Sequence, residues 1–178
     1  RDQPPLRVIE VGSGSSSAMM LATDGRYLDS ATELTFIEPY PERLHSLLRD
    51  GDRSGGRIRI IEQPVQSVPP DAFGDLEAGD VLFIDSSHVV STGGDVNRWR
   101  LEISPALPAG VRIHLHDICG PFDDPEVWLE QGRFWNETYL LHALLVGNAS
   151  LHVDVFTSYL FSTQRDEVAR RAPAWAAL

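Results

Sequence analysis

Four residues of this chain combine proton-handling and metal-ligating chemistry at close spacing: Asp85 and His88 in Phe83-Ile84-Asp85-Ser86-Ser87-His88, and His116 and Asp117 in His114-Leu115-His116-Asp117. Carboxylates and imidazoles of this kind bind a divalent metal or move a proton. Each segment follows a short apolar run that reads as a strand. The two strand ends are expected side by side at one edge of a sheet, so that the four side chains converge in one cleft. Structural alternatives stand beside each of these roles. Asp85 could hold its own loop by an Asx-turn, and His88 could be a loop histidine. His116 could be a half-buried strand residue bonded to Asp85. His114 lies deeper and reads as packing. Trp128, Phe134 and Trp135 could line an acceptor pocket or pack a loop on the core.

A second constellation lies near the amino terminus, in Val8-Ile9-Glu10-Val11-Gly12-Ser13-Gly14-Ser15-Ser16-Ser17. It reads as an apolar strand with an acidic residue near its end, a turn with two glycines, and a helix start at Ser15. Gly12 and Gly14 let backbone approach a ligand without a Cβ between. The helix that follows aims free N–H groups and a positive dipole end at the same spot. The dinucleotide fingerprint places a third Gly or Ala three positions after the second glycine; Ser17 stands there instead. Glu10 suits cationic groups and is poor beside a pyrophosphate. Glu38 closes the next strand, where an acidic residue accepts hydrogen bonds from ribose hydroxyls; its plain alternative is a charge at a helix start. Gln66, in the loop after the third strand, is placed to reach an adenine ring, or is an ordinary surface residue.

The elements that must position these residues alternate along the chain. Strands are expected over 6–11, 34–38, 57–61, 80–85, 111–116 and 151–156. Helices are expected over 15–23, 42–49, 95–107, 135–146 and 164–171, with a weak short one over 71–76. Pro41 suits a first helical turn. Leu140, Leu141, Leu144 and Leu145 would form the buried face of the helix over 135–146. The apolar middle of 80–85 suits a parallel strand covered on both faces. Such alternation implies βαβ units and an α/β fold, a doubly wound, mostly parallel sheet with ligands beyond the carboxyl ends of its strands. Residues 119–134, rich in Pro, Asp and aromatics, read as an irregular substrate-facing loop.

The bulk numbers agree with one domain over residues 1–178. A chain of 178 residues with 42% hydrophobic content can bury a real core. A net charge of −11 argues against a nucleic-acid surface. All fifteen basic residues are arginines, which reads as genome composition bias. The single cysteine, Cys119, suits a reducing cytoplasm. No apolar run approaches a membrane span. The chain opens at Arg1 rather than at a methionine, which suggests a piece of a longer protein, short of an amino-terminal helix and of a last antiparallel strand.

With Glu10-x-Gly12-x-Gly14 as first motif, the chain resembles class I S-adenosylmethionine-dependent methyltransferases. With Asp85-x-x-His88 and the His116-Asp117 pair, it resembles bacterial small-molecule O-methyltransferases in particular. The resemblance runs from Leu6 to Tyr159. It implies that Glu10, Gly12, Gly14 and Ser15 receive the methionine end of S-adenosylmethionine, with Glu38 on the ribose, Gln66 near the base and Asp85 beside the cofactor. It implies catalysis by His88, Asp85 and Asp117 on a hydroxylated small-molecule acceptor, such as a sugar or secondary metabolite. Catechol-type O-methyltransferases have a similar layout. By that likeness Asp85 and Asp117, with His116, would hold a divalent metal such as magnesium, and His88 falls where a catalytic lysine stands. Ile118 departs from that pattern, which carries an asparagine there. Two rival readings remain: an NAD-type oxidoreductase, which loses its common Tyr-x-x-x-Lys form because the chain has no lysine, and a non-catalytic or hydroxylase-like relative on the same fold. Acceptor identity and oligomeric state are not legible.

Overall fold

A computed structural model describes residues 4–172. The chain forms two compact units, one of Arg1–Ser87 with Ser91–His116, the other of His88–Val90 with Asp117–Leu178.

The first unit is a five-stranded, wholly parallel sheet. Its strands are β1 (Arg7–Val11), β2 (Glu33–Ile37), β3 (Ile58–Ile61), β4 (Val81–Ile84) and β5 (Arg112–Leu115), in the order β3-β2-β1-β4-β5. The order reverses between β1 and β4, the place where open α/β sheets receive ligands. Strand β1 pairs Glu10 with Phe36 of β2 on one side and with Phe83 of β4 on the other. Four of its five residues are buried, as a central strand covered on both faces requires. On one face Val8, Leu34 and Phe36 pack with Leu21 of α1 (Ser15–Tyr27) and Leu44 of α2 (Glu42–Leu47). The alternate residues Ile9, Val11, Ile37, Leu82 and Ile84 point the other way and are equally buried. The α/β, doubly wound character expected from the alternation is present.

The expected helix over 42–49 ends at Leu47, and Leu48 turns extended before a short α3 (Asp50–Ser54). The expected weak helix over 71–76 is a 3₁₀ turn, Pro70–Phe73. The helix expected over 95–107 is broken into α4 (Asp95–Arg98), a π-helical turn Trp99–Ile103 and a 3₁₀ turn Ser104–Ala106. Pro105 has no N–H to continue an α-helical ladder, and the wide turn keeps both Trp99 and Ile103 buried.

The second unit corrects three expectations. Residues 151–156 form no strand: Leu151, Val153 and Val155 are 40%, 55% and 60% exposed. Their alternation has strand character only where a neighbouring ladder supplies packing, and none does. The chain instead enters α7 (Thr157–Thr163), which had no sequence signal, and then α8 (Arg165–Arg171). Residues 119–134 are not wholly irregular, since α5 spans Glu126–Glu130. In α6 (Glu137–Leu145) the buried residues are Glu137 and Thr138, whereas Leu140, Leu141, Leu144 and Leu145 are only half-buried. Phe122 stacks on His142 at 4.4 Å and leans on Phe156 at 5.1 Å. No helix of the described residues is long and apolar enough to cross a membrane.

Candidate functional site

The carboxyl ends of β1, β2 and β4 meet at the glycine turn. Gly12 has φ +83°, and a Cβ built there would lie 1.9 Å from the Asp85 carbonyl oxygen. Only glycine fits. Its first duty is therefore to let the ends of β1 and β4 touch, where the Asp85 N–H donates to the Val11 carbonyl at 2.9 Å; on the other side the Gly12 N–H donates to the Ile37 carbonyl of β2 at 3.0 Å. Gly14 begins α1 in extended backbone, with only the Arg43 side chain near where a Cβ would stand.

Glu10 lies beneath this turn and is 0% exposed. One carboxylate oxygen accepts from the Ser16 hydroxyl, the other from the Ser17 hydroxyl. The Ser17 oxygen in turn accepts the Gly14 N–H at 2.9 Å. The serine at the third fingerprint position is thus a bridge: it caps the first turn of α1 and holds the buried acid. Burial pushes the Glu10 carboxyl up to about 7, and the nearby Asp85 and Glu38 charges add to that, against the pull of the two hydroxyls. A carboxylate so placed is poised between its two charge states at neutral pH.

Glu38 follows β2. One of its oxygens accepts the Ser13 N–H at 3.0 Å and the other the Tyr40 N–H at 2.9 Å. A carboxylate has about four acceptor positions, so both oxygens keep capacity for further donors. The Ser13 hydroxyl is buried with no hydrogen-bond partner. Arg43, from α2, reaches across to the Ser15 hydroxyl at 2.7 Å. No motif pointed to Arg43, because its reach depends on tertiary packing. Gln66 sits exposed in a 3₁₀ turn, Val65–Ser67, anchored by buried Val65 and Val68.

After β4, Asp85 is half-buried. Ser87 donates both its N–H and its hydroxyl to Asp95, at 2.7 and 2.6 Å, which fastens the loop to α4. On β5, His114 stacks on Phe83 at 4.2 Å, and just past the strand His116 lies 6.1 Å from His114. Loss of hydration against its neighbours lowers the His114 pKa, His116 lowers it further, and Asp85 opposes both.

His88 and Asp117 belong to the second unit, not to the sheet unit that carries Asp85 and His116. His88 has φ +60° and is 5% exposed. Its Nδ1 lies 2.9 Å from a carboxylate oxygen of Glu137, its ring packs on Trp135 at 4.1 Å, and its carbonyl accepts the N–H groups of Asn136 and Glu137. A non-glycine residue held left-handed costs energy that the surrounding bonds must cover. Asp124 lies near this pair; burial raises its pKa, and His88 lowers it. Glu137 was missed from the sequence, where it reads as an ordinary acidic residue in a first helical turn. Asp117 is half-buried, also left-handed at φ +52°. Among the described residues, no group of three or more His, Cys, Asp or Glu side chains is gathered to hold a metal ion.

This geometry suits capture of a nucleoside-bearing, positively charged ligand at the turn of the sheet unit, and proton handling at an imidazole backed by a carboxylate in the other. Residues 9–118 match the family described as a methyltransferase domain. A stretch of 73 residues, 41% of the chain, is 36% identical to an uncharacterized protein of Archaeoglobus fulgidus. That match spans 32% of the archaeal protein's length. No solved structure matches significantly. The matched segment runs from the strand beneath the glycine turn to just past the His116-Asp117 pair, and by it the chain belongs to the methyltransferase-domain family.

Proposed function

We propose that the chain is an S-adenosylmethionine-dependent O-methyltransferase acting on a small hydroxylated acceptor, a sugar or secondary metabolite. The observation that carries this reading is the charge around the glycine turn. Glu10 lies under it, Glu38 accepts its Ser13 N–H, and the charge of Asp85 is near enough to raise the Glu10 pKa. The charges of Glu38 and Asp85 disfavour a pyrophosphate, and with Glu10 beneath them they favour the ammonium and sulfonium of a methionine end. The residues also fit the rest of such a donor: Glu38 keeps acceptor capacity for ribose hydroxyls, and Gln66 offers an amide for the base edge.

Bound S-adenosylmethionine supplies an already activated methyl group. What the protein adds is alignment and proton management. The α1 start and the Glu10–Ser17 clasp hold the turn rigid, which fixes the donor before the reaction. Alignment of this kind lowers a barrier by as much as roughly 7–11 kcal/mol at the favourable limit. His88 takes the proton of the acceptor hydroxyl. Glu137, on Nδ1, fixes the ring's orientation and stabilises the imidazolium that forms, the division of labour known from carboxylate–histidine pairs in hydrolases. A positioned base contributes roughly 10²–10⁴-fold.

Calorimetry tests the donor assignment. S-adenosylhomocysteine is expected to bind with micromolar affinity and NAD not at all. A folded sample that binds neither sinks the proposal, and one that binds NAD alone replaces it with a dinucleotide enzyme.

A further inference from the structure

The buried acid beneath the turn differs from the other two in exposing none of its surface. Glu10 is fully enclosed, with each oxygen held by a different hydroxyl of the same helical turn, Ser16 and Ser17. The groups bearing on it are the carboxylates of Glu38 after β2 and Asp85 after β4, with the positive end of α1 above and Arg43 on Ser15 beyond. With two like charges near and no cation in contact, a third negative charge inside the sheet is costly. A ligand that brings positive charge to the turn changes that balance.

We infer that Glu10 is a specificity-determining residue: the pocket binds the methyl donor, with its extra positive charge, when Glu10 is ionised, and the spent product, which lacks that charge, largely when Glu10 is protonated. The inference rests on the donor assignment above. S-adenosylmethionine carries a sulfonium charge that S-adenosylhomocysteine lacks, while both share the same ammonium and carboxylate. Arrival of the donor expels the Glu10 proton to solvent. Once the methyl group has left, the sulfur is neutral, the carboxylate loses its counter-charge, and it takes a proton back from solvent. The balance is at most one proton released on donor binding and the same amount regained when the methyl group is gone, with no other reactant involved in that exchange. The carboxyl's position near neutrality places the exchange within the physiological range. Through linkage, preference for donor over product grows as pH rises. A one-unit difference in Glu10 pKa between the two complexes makes that growth about tenfold.

The test is calorimetric titration of the wild-type chain with S-adenosylmethionine and with S-adenosylhomocysteine between pH 5.5 and 8.5, each in buffers of different ionisation enthalpy. The expected result is more proton release with the donor than with the product near pH 7. The donor-to-product affinity ratio is expected to rise about tenfold across the range, with both effects lost in Glu10→Gln. Ser16→Ala, which removes one hydroxyl from the carboxylate, keeps the effect and moves it to higher pH; it serves if Glu10→Gln does not fold. Equal proton release with the two ligands, or release that persists unchanged in Glu10→Gln, overturns the inference while the donor assignment stands. Failure of both ligands to bind the wild type at every pH overturns the donor assignment, and this inference with it.

Discussion

Gly12 and His88 share an unusual backbone sign and differ in how it is supported. At Gly12 the left-handed φ coincides with a carbonyl oxygen that fills the space of a side chain. Gly12→Ala is expected to cost about 3 kcal/mol or more, since strain and overlap act together; chemical denaturation measures it. At His88 a side chain is accepted because Glu137, Trp135 and the start of α6 hold it. His88→Ala is expected to leave donor affinity within a factor of two and to lower turnover at least tenfold. The assay is labelled methyl transfer to an acceptor found by screening hydroxylated small molecules. Glu137→Gln, which keeps the shape and removes the charge, is expected to lower kcat about tenfold with acceptor KM unchanged. Unchanged turnover in both variants removes the pair from the mechanism.

At the scale of elements, the pieces that form the glycine turn were readable because each rests on local chemistry. A continuous apolar strand, a glycine that must turn and a helix that must start leave marks within ten residues, and β1, α1, β2 and β4 lie within two residues of where the pattern placed their starts. What escaped notice depends on contacts between distant positions. Glu137 and His88 are 49 residues apart, and nothing in either neighbourhood announces the other. Residues 151–156 show the converse failure: alternating valines signal a strand, yet a strand exists only with a partner. Helix α7 went unread for the same reason. Its anchor is Ser158, whose hydroxyl accepts the Gly120 N–H at 2.7 Å and donates to the Ile118 carbonyl at 3.2 Å. Ser158→Ala leaves two backbone groups unserved and is expected to cost about 1–3 kcal/mol. It is also expected to speed amide exchange at Gly120, read by hydrogen-exchange NMR.

For the molecule as a whole, Glu10 links stability to pH. Its carboxyl is held near 7 in the folded state against an ordinary 4.5. Between those values the folded chain keeps a proton that the unfolded chain has released. Its contribution is fully present below about 4.5 and is lost as pH rises towards about 7. The stability difference between wild type and Glu10→Gln, followed by thermal denaturation, is therefore expected to move in favour of the variant across that window and to level off above it. A difference independent of pH would place the acid in contact with water.

The chain passes between its two units at 87/88, 90/91 and 116/117, so that His88–Val90 is a three-residue outpost of the second unit within the sequence of the first. This has a consequence for the order of events on the ribosome. The sheet's last strand and the outpost are both made before α6 exists. At about 5–20 residues per second, the 49 residues from His88 to Glu137 take roughly 2–10 seconds to synthesise. During that interval a nascent chain has all the residues of its glycine turn while the histidine still waits for the glutamate that will hold it.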